Sequence, residues 1–355
     1  MMVKNLLIIT LLNVVSFVAL AHDAEHNETQ IVPFPQVNNT GPANGLLAYQ
    51  KAEAFLTLLS APQKLQLVLP VNSTLRSNWS NLPAGVLRFE RNGLRLGDLN
   101  QTQLQGLFSL LQATLSKNGY DTLSQIVTAD KVLSREPAAK RFAWTEENYW
   151  IALFGEPSKS KAWGIQFGGH HLAVNIAYEQ GKVISLSPTF IGIEPSEFEY
   201  QGIPSAPMND ELQDALALMN SLPEELQQKA RVKNRAREVY TGPQKDGFIP
   251  PLEGGKIKNW SPEHQQELLS IIHHWVGLQP TENTTLRMQE IKQDIDETYF
   301  AWHGKTDGNS AIYFRIQGQR LILEFSTEGS VGSDVGHYHS VYRNPTLEYG
   351  LKSEQ

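Results

Sequence analysis

Two stretches of this chain carry side chains that do chemistry better together than apart. Gly168-Gly169-His170-His171-Leu172-Ala173-Val174-Asn175 sets two histidines and an asparagine in an apolar run. His337-Tyr338-His339 lies near the C-terminus, with Arg343-Asn344-Pro345 just behind it. On a strand, residues i and i+2 share a face, so His337 and His339 reach one ion while Tyr338 points away. This spacing is a common way for a sheet to offer two imidazoles to Zn, Cu, Fe or Mn. Two nitrogens hold a metal poorly against water, so a third is expected from His170 or His171.

In a regular strand His170 and His171 point to opposite faces. His171 shares the more polar face with Ala173 and Asn175 and is the preferred inner residue. The plainer alternative is a buried, hydrogen-bonded His170 beside a merely exposed His171. Asn175 is a candidate for orienting a substrate or an imidazole, or for satisfying backbone at a strand edge. Glu324, between Leu323 and Phe325, is a candidate general base or fourth ligand, with an outward-facing carboxylate as the alternative. Arg343 suits an anionic substrate group or a neighbouring carboxylate. His303 follows Trp302 in a turn and is a weaker candidate. His264, His273 and His274 read as surface or capping residues.

Composition removes other chemistries. The 355 residues contain no cysteine, which excludes disulfides, thiolate metal sites and a catalytic thiol. The net charge of −7 argues against non-specific binding to nucleic acid or anionic lipid. There is no G-x-S-x-G elbow and no G-x-G-x-x-G, and Gly304-Lys305-Thr306 lacks the upstream glycine of a P-loop. A Ser-His-Asp triad stays open, because triads need no sequence spacing.

The elements that must position these residues are readable in part. Residues 1–21 read as a secretory signal: Lys4, an apolar core from Leu6 to Leu20, and Ala19-Leu20-Ala21 as the cleavage site. No other stretch is long and apolar enough to span a bilayer, and the expected location is periplasmic or extracellular. Residues 22–45 read as a flexible leader, polar and rich in Asn and Pro. Its His22-Asp23-Ala24-Glu25-His26 spells a zinc-protease pattern that lacks the packed helix such a motif needs.

Residues 46–355 then form one expected α+β domain. Helical spacing runs from Leu46 to Leu59 and from Gln101 to Leu115, with Val86 to Phe89 as strand and turn between them. Thr145-Glu146-Glu147-Asn148 resembles an N-cap, which predicts a helix ending at Phe154. Trp163, Ile165 and Phe167 alternate as a strand, and the apolar phase then slips to Leu172, Val174 and Ile176. That slip predicts a β-bulge at Gly168-Gly169. Residues 188–207 read as loop because of their prolines and glycines. Further helices are expected around Leu212–Met219, after Ser221-Leu222-Pro223-Glu224, from Ser261 to Val276, and from Leu286 to Ile295. Thr298–Trp302, Ala311–Ile316 and Leu321–Phe325 read as an antiparallel meander, and Gly329–Gly336 as a glycine-serine loop.

Several motifs in this order resemble a family of exported proteins known as domain of unknown function 3500. They are Gly169-His170-His171-Leu172, Pro188-Thr189-Phe190-Ile191-Gly192, Tyr299-Phe300-Ala301-Trp302, Tyr313-Phe314-Arg315-Ile316, and the run from His337 to Pro345 ending at Tyr349-Gly350. Glu348 stands where the resemblance leads one to expect Asp before Tyr-Gly. The resemblance implies export and a shared histidine-bearing core, and no activity. The expected protein is thus a helical N-terminal half packed on a largely antiparallel sheet. Its expected function is that of an exported metal-dependent hydrolase or oxidoreductase holding Zn, Cu or Fe and acting on a small-molecule or polymeric substrate. The alternatives are a non-catalytic metal- or ligand-binding protein, and a metal-free hydrolase or lyase with a histidine base.

Overall fold

The computed structural model describes residues 31–36, 39, 41–86, 90–233, 238–330 and 333–351. Residues 1–21, read above as a secretory signal, the 22–26 motif and Leu87–Phe89 lie outside the described residues. The fold is α+β. A largely antiparallel sheet of 12 strands organises it, and helices pack on one face. The main strands are β1 (Tyr149–Phe154), β2 (Trp163–Gly169), β3 (Leu172–Glu179), β4 (Lys182–Ser185), β5 (Thr189–Ile193), β6 (Tyr299–His303), β7 (Tyr313–Gly318), β8 (Leu321–Ser330) and β9 (Ser333–Arg343). Their spatial order is β1-β2-β3-β5-β9-β8-β7-β6, with β4 off this path on β3.

The register sorts the two faces. Leu172, Ile191, Ser340, Phe325, Phe314 and Trp302 line up across six strands on one of them. That face is the core side. Trp275, from helix α5 (Pro262–Val276), sets its ring edge-on to Phe314 and Phe325 and donates its indole N–H to Ser340 Oγ. Ala173, Phe190, Val341, Glu324 and Arg315 form the matching row on the opposite face. This second face is far more polar yet also buried, covered by irregular chain instead of helices. Helices α1 (Gly45–Thr57), α2 (Gln101–Thr114), α3 (Lys117–Leu133) and α4 (Asn209–Ser221) begin where Asn and Ser caps or early acidic residues predict, and a further helix is α6 (Thr281–Gln293).

Several expectations change. Residues 149–154 are the strand β1, not a helix. Tyr149-Trp150-Ile151-Ala152-Leu153-Phe154 is a short, mostly buried aromatic and apolar run, which a strand between neighbours accommodates. Residues 188–207 are not all loop. Pro188 and Pro195 bracket β5, where no ladder N–H is needed, and Phe198–Tyr200 pairs with Ile203–Ser205 beyond it. Ser221 does not cap the helix Glu224–Ala230; its hydroxyl donates back to Leu218 O at 2.9 Å. The glycine-serine loop is shorter than expected, because the β8–β9 pairing continues to Ser330 and Ser333.

The flexible-leader reading fails over its described part near Phe34. Ile31, Val32 and Phe34 are buried, and the Phe34 ring lies 4.7 Å from Phe108 and 5.6 Å from Tyr120. Its backbone N–H donates to Ser124 Oγ at 2.8 Å, while Tyr120 donates to Pro35 O at 2.7 Å. Three apolar side chains in a polar stretch are enough to dock the segment on α2 and α3.

Candidate metal centre

The bulge expected at Gly168-Gly169 is a tight hairpin turn. Gly169 pairs with Leu172, so His170 and His171 are the two residues of the connection between β2 and β3. The slip in apolar phase has a simple cause: Phe167 faces Val174 and Ile165 faces Ile176 across the hairpin. His171 takes φ of 58°, in the left-handed region where histidine is more common than most residues with a side chain. Its N–H donates to Asn81 O at 3.1 Å, and its carbonyl accepts from Gly192 N at 2.7 Å. The turn is therefore pinned on both sides. His170 and His171 no longer alternate across a strand; their rings lie with centroids 3.7 Å apart.

The strand β5 separates β3 from β9, so the two histidine stretches are not direct neighbours. They meet above Gly192. A Cβ there would sit 3.0 Å from His339 Cδ2 and 3.1 Å from His171 Cδ2, so the missing side chain makes room for both rings. His171 Nε2 lies 2.7 Å from His337 Nε2, and one ring nitrogen from each of His171, His337 and His339 falls within 4.8 Å of the other two. Tyr338, between the last two, turns to the core side and packs at 5.6 Å on Phe325.

Electrostatics at this cluster favour neutral imidazole. Burial pushes His171 and His339 well below the ordinary histidine value, and neighbouring imidazoles add to it. Burial also lowers His337, with the Glu194 carboxylate working the other way. Neutral imidazole is the form that donates a lone pair to a metal. The fit to an ion is best seen at His339: both ring nitrogens are buried and neither has a hydrogen-bond partner among the described residues. A buried imidazole with no partner is costly, and a coordinated ion supplies one.

His170 faces elsewhere. Its Nδ1 lies 2.7 Å from Asp130 Oδ1, and its ring stacks beside Trp144 with centroids 6.2 Å apart. Tyr149 Oη lies 2.9 Å from Asp130 Oδ2 and 2.8 Å from the His170 carbonyl oxygen, tying helix, strand and turn together. Asp130, His170 and His171 form a second group with ligand atoms within 4.8 Å.

The structure places the remaining candidates outside both groups. Glu324 accepts from Tyr240 N at 3.0 Å, Thr241 N at 2.8 Å, Tyr313 Oη at 2.6 Å and the Thr241 hydroxyl. Arg343 pairs with Glu348 and donates to the carbonyls of Lys245 and Phe248, both at 3.0 Å. Asn175 donates to Pro188 O and accepts from Gln166 Nε2, each at 2.8 Å. These three hold irregular chain against the polar face of the sheet.

Asp130, Tyr149 and Gly192 are contributors that sequence reasoning missed. Asp130 had a signal: it follows Leu123 and Val127 on the buried stripe of α3, where a carboxylate is out of place. Ser326 is another. It is the register partner of His339, and its buried hydroxyl has no partner.

A family model described as "Protein of unknown function (DUF3500)" matches residues 47–351, and the chain belongs to that family. No curated protein and no solved structure matches it.

Proposed function

We propose that this member of the DUF3500 family binds a divalent transition metal through His171, His337 and His339, and that the metal is its functional centre. One observation carries the reading: three imidazoles from two distant stretches converge, and one of the two most enclosed, His339, has no hydrogen-bond partner for either nitrogen among the described residues. Three neutral histidines leave a coordination position for water, oxygen or substrate. An all-nitrogen set without thiolate serves hydrolysis at Zn and oxidation at Cu or Fe equally well. Elemental analysis of untagged protein tests the reading, with about one ion or more per chain expected and a metal-free protein counting against it.

A second reading, a non-catalytic metal-binding protein, draws support from burial. His171 and His339 are each 3% exposed, and only His337 is half-buried. Such access suits water, dioxygen or an ion better than a polymer. Turnover of small substrates by the loaded protein separates the two. Export remains part of the proposal, resting on Lys4 and Ala19-Leu20-Ala21. Mass spectrometry of protein outside the cytoplasm should find a mature start at His22; an intact Met1 there counts against export.

A further inference from the structure

Asp130 takes no part in the tris-histidine site, yet it lies against it. It is 2% exposed, in the last turn of α3. Among the described residues its carboxylate forms no ion pair with Lys or Arg; its partners are His170 and Tyr149. Arg91, whose charge interacts with it at longer range, keeps one buried nitrogen without a partner among the described residues and makes its hydrogen bonds elsewhere. It lies 5.1 Å over the Trp150 ring and donates to Ser80 O at 3.1 Å and to Leu82 O. A buried carboxylate with no Lys or Arg in direct contact is expensive.

We propose that Asp130 and His170 form a second cation seat beside the first, so that the centre takes two divalent transition ions. The inference rests on the tris-histidine reading and extends it. Three observations carry it. Asp130, His170 and His171 bring one carboxylate oxygen and two imidazole nitrogens within 4.8 Å, a donor set that suits Zn, Mn or Fe. Tyr149 occupies the other carboxylate oxygen, which fixes the carboxylate plane and leaves Oδ1 toward the histidines. His171 belongs to both groups, so its ring would offer one nitrogen to each seat and bridge the two ions as imidazolate, its ring proton passing to solvent.

The test is stoichiometry. Untagged protein is stripped with chelator, dialysed to equilibrium against Zn²⁺, and its zinc per chain measured. Two zinc ions are expected for the wild type, one for Asp130→Asn, one for His170→Gln and at most one for His339→Ala. Asn keeps the shape of Asp and its bond to Tyr149; should that variant fail to fold, His170→Gln carries the test. Melting temperature of each stripped variant confirms the fold. One zinc in the wild type overturns the proposal whatever Asp130→Asn does. If that single ion is retained in Asp130→Asn and lost in His339→Ala, the tris-histidine reading survives alone. If it is lost in Asp130→Asn as well, Asp130 acts by orienting His170 toward a single ion. A wild type that takes up no zinc removes both readings.

Discussion

The polar face of the sheet has two ends built from similar residues and put to different use. At one end Glu324, Arg315 and Arg343 are buried and engaged. Glu324 holds Tyr240 and Thr241, Arg315 reaches Pro251 O and Glu253, and Arg343 reaches Lys245 and Phe248. At the other end, four residues along β9 from Arg343, His339 is equally buried and has no hydrogen-bond partner among the described residues. A polar group that nature has matched with donors and acceptors does structural work. A side chain like His339, with no hydrogen bond at either ring nitrogen in the same low-dielectric layer while Arg343 leaves only one of its nitrogens unmatched, is where a ligand would fit. The difference separates a clamp from a site, although from sequence both ends looked like candidates for chemistry.

The largest effect should come from the clamp. Glu324→Ala leaves two backbone N–H groups and two hydroxyls without their acceptor. At about 1–3 kcal/mol for each unsatisfied buried group, partly relieved by rearrangement, a loss of roughly 3–5 kcal/mol is expected in urea unfolding. Metal content should be unchanged wherever the protein stays folded. A stable Glu324→Ala that loses metal would reverse the assignment of the two ends.

His339→Ala is the mirror experiment. It removes a ligand and no hydrogen bond, so metal affinity should fall by about 100-fold or more while the stripped protein unfolds near the wild-type midpoint. His337→Ala should behave alike. Unchanged affinity in both would return the histidines to structure.

How much of this was legible depends on sequence distance. His337-Tyr338-His339 announces a shared face because strand period is local, and the meander of β6, β7 and β8 is local too. The α5 helix was legible from its Ser-Pro-Glu start and apolar stripe. The hairpin turn was not, since a two-residue turn and a one-residue bulge both shift apolar phase. Only the pairing of Gly169 with Leu172 distinguishes them. β1 was mistaken because a good helix cap sits before a run that is buried by both neighbours. Asp130 meets His170 across 40 residues, and Gly192 matters only through what passes above it. Such contacts have no local period to betray them. Glu324 misled for the complementary reason: a carboxylate in an apolar strand looks the same whether it serves a substrate or a loop.

Gly192 gives a smaller, sharper test of the site end. Its added Cβ in Gly192→Ala would meet Tyr338 O at 2.7 Å and press on both histidine rings. Metal affinity should drop about 10-fold, or roughly 1.4 kcal/mol, by displacement of the rings with all three retained. Gly168→Val and Gly169→Val test the hairpin beneath. Added carbons would meet Leu172 O at 2.4 Å and Asn148 O at 2.6 Å, so both should lower stability before they touch metal binding. Gly192→Ala with intact affinity would mean the rings have slack that the packing does not suggest.

The last comparison is in pH. His171, His337 and His339 have lowered folded-state pKa values, chiefly from burial, so the unfolded chain binds protons that the folded chain refuses. Their contribution to stability is intact above the unfolded histidine value near pH 6.5 and is lost progressively as pH falls below it. Each such histidine adds about 1.4 kcal/mol per pH unit to the slope across that window. Stripped wild-type protein should therefore lose stability more steeply below about pH 6.5 than stripped His339→Ala, by about that amount for the one histidine removed. Bound metal should steepen the fall, because protons compete with the ion for the same nitrogens. Melting curves from pH 7.5 to 5, with and without Zn²⁺, measure all three slopes. Equal slopes for stripped wild type and His339→Ala would show that His339 takes up protons as readily folded as unfolded, and the contrast between a matched clamp and an unmatched site would lose its electrostatic half.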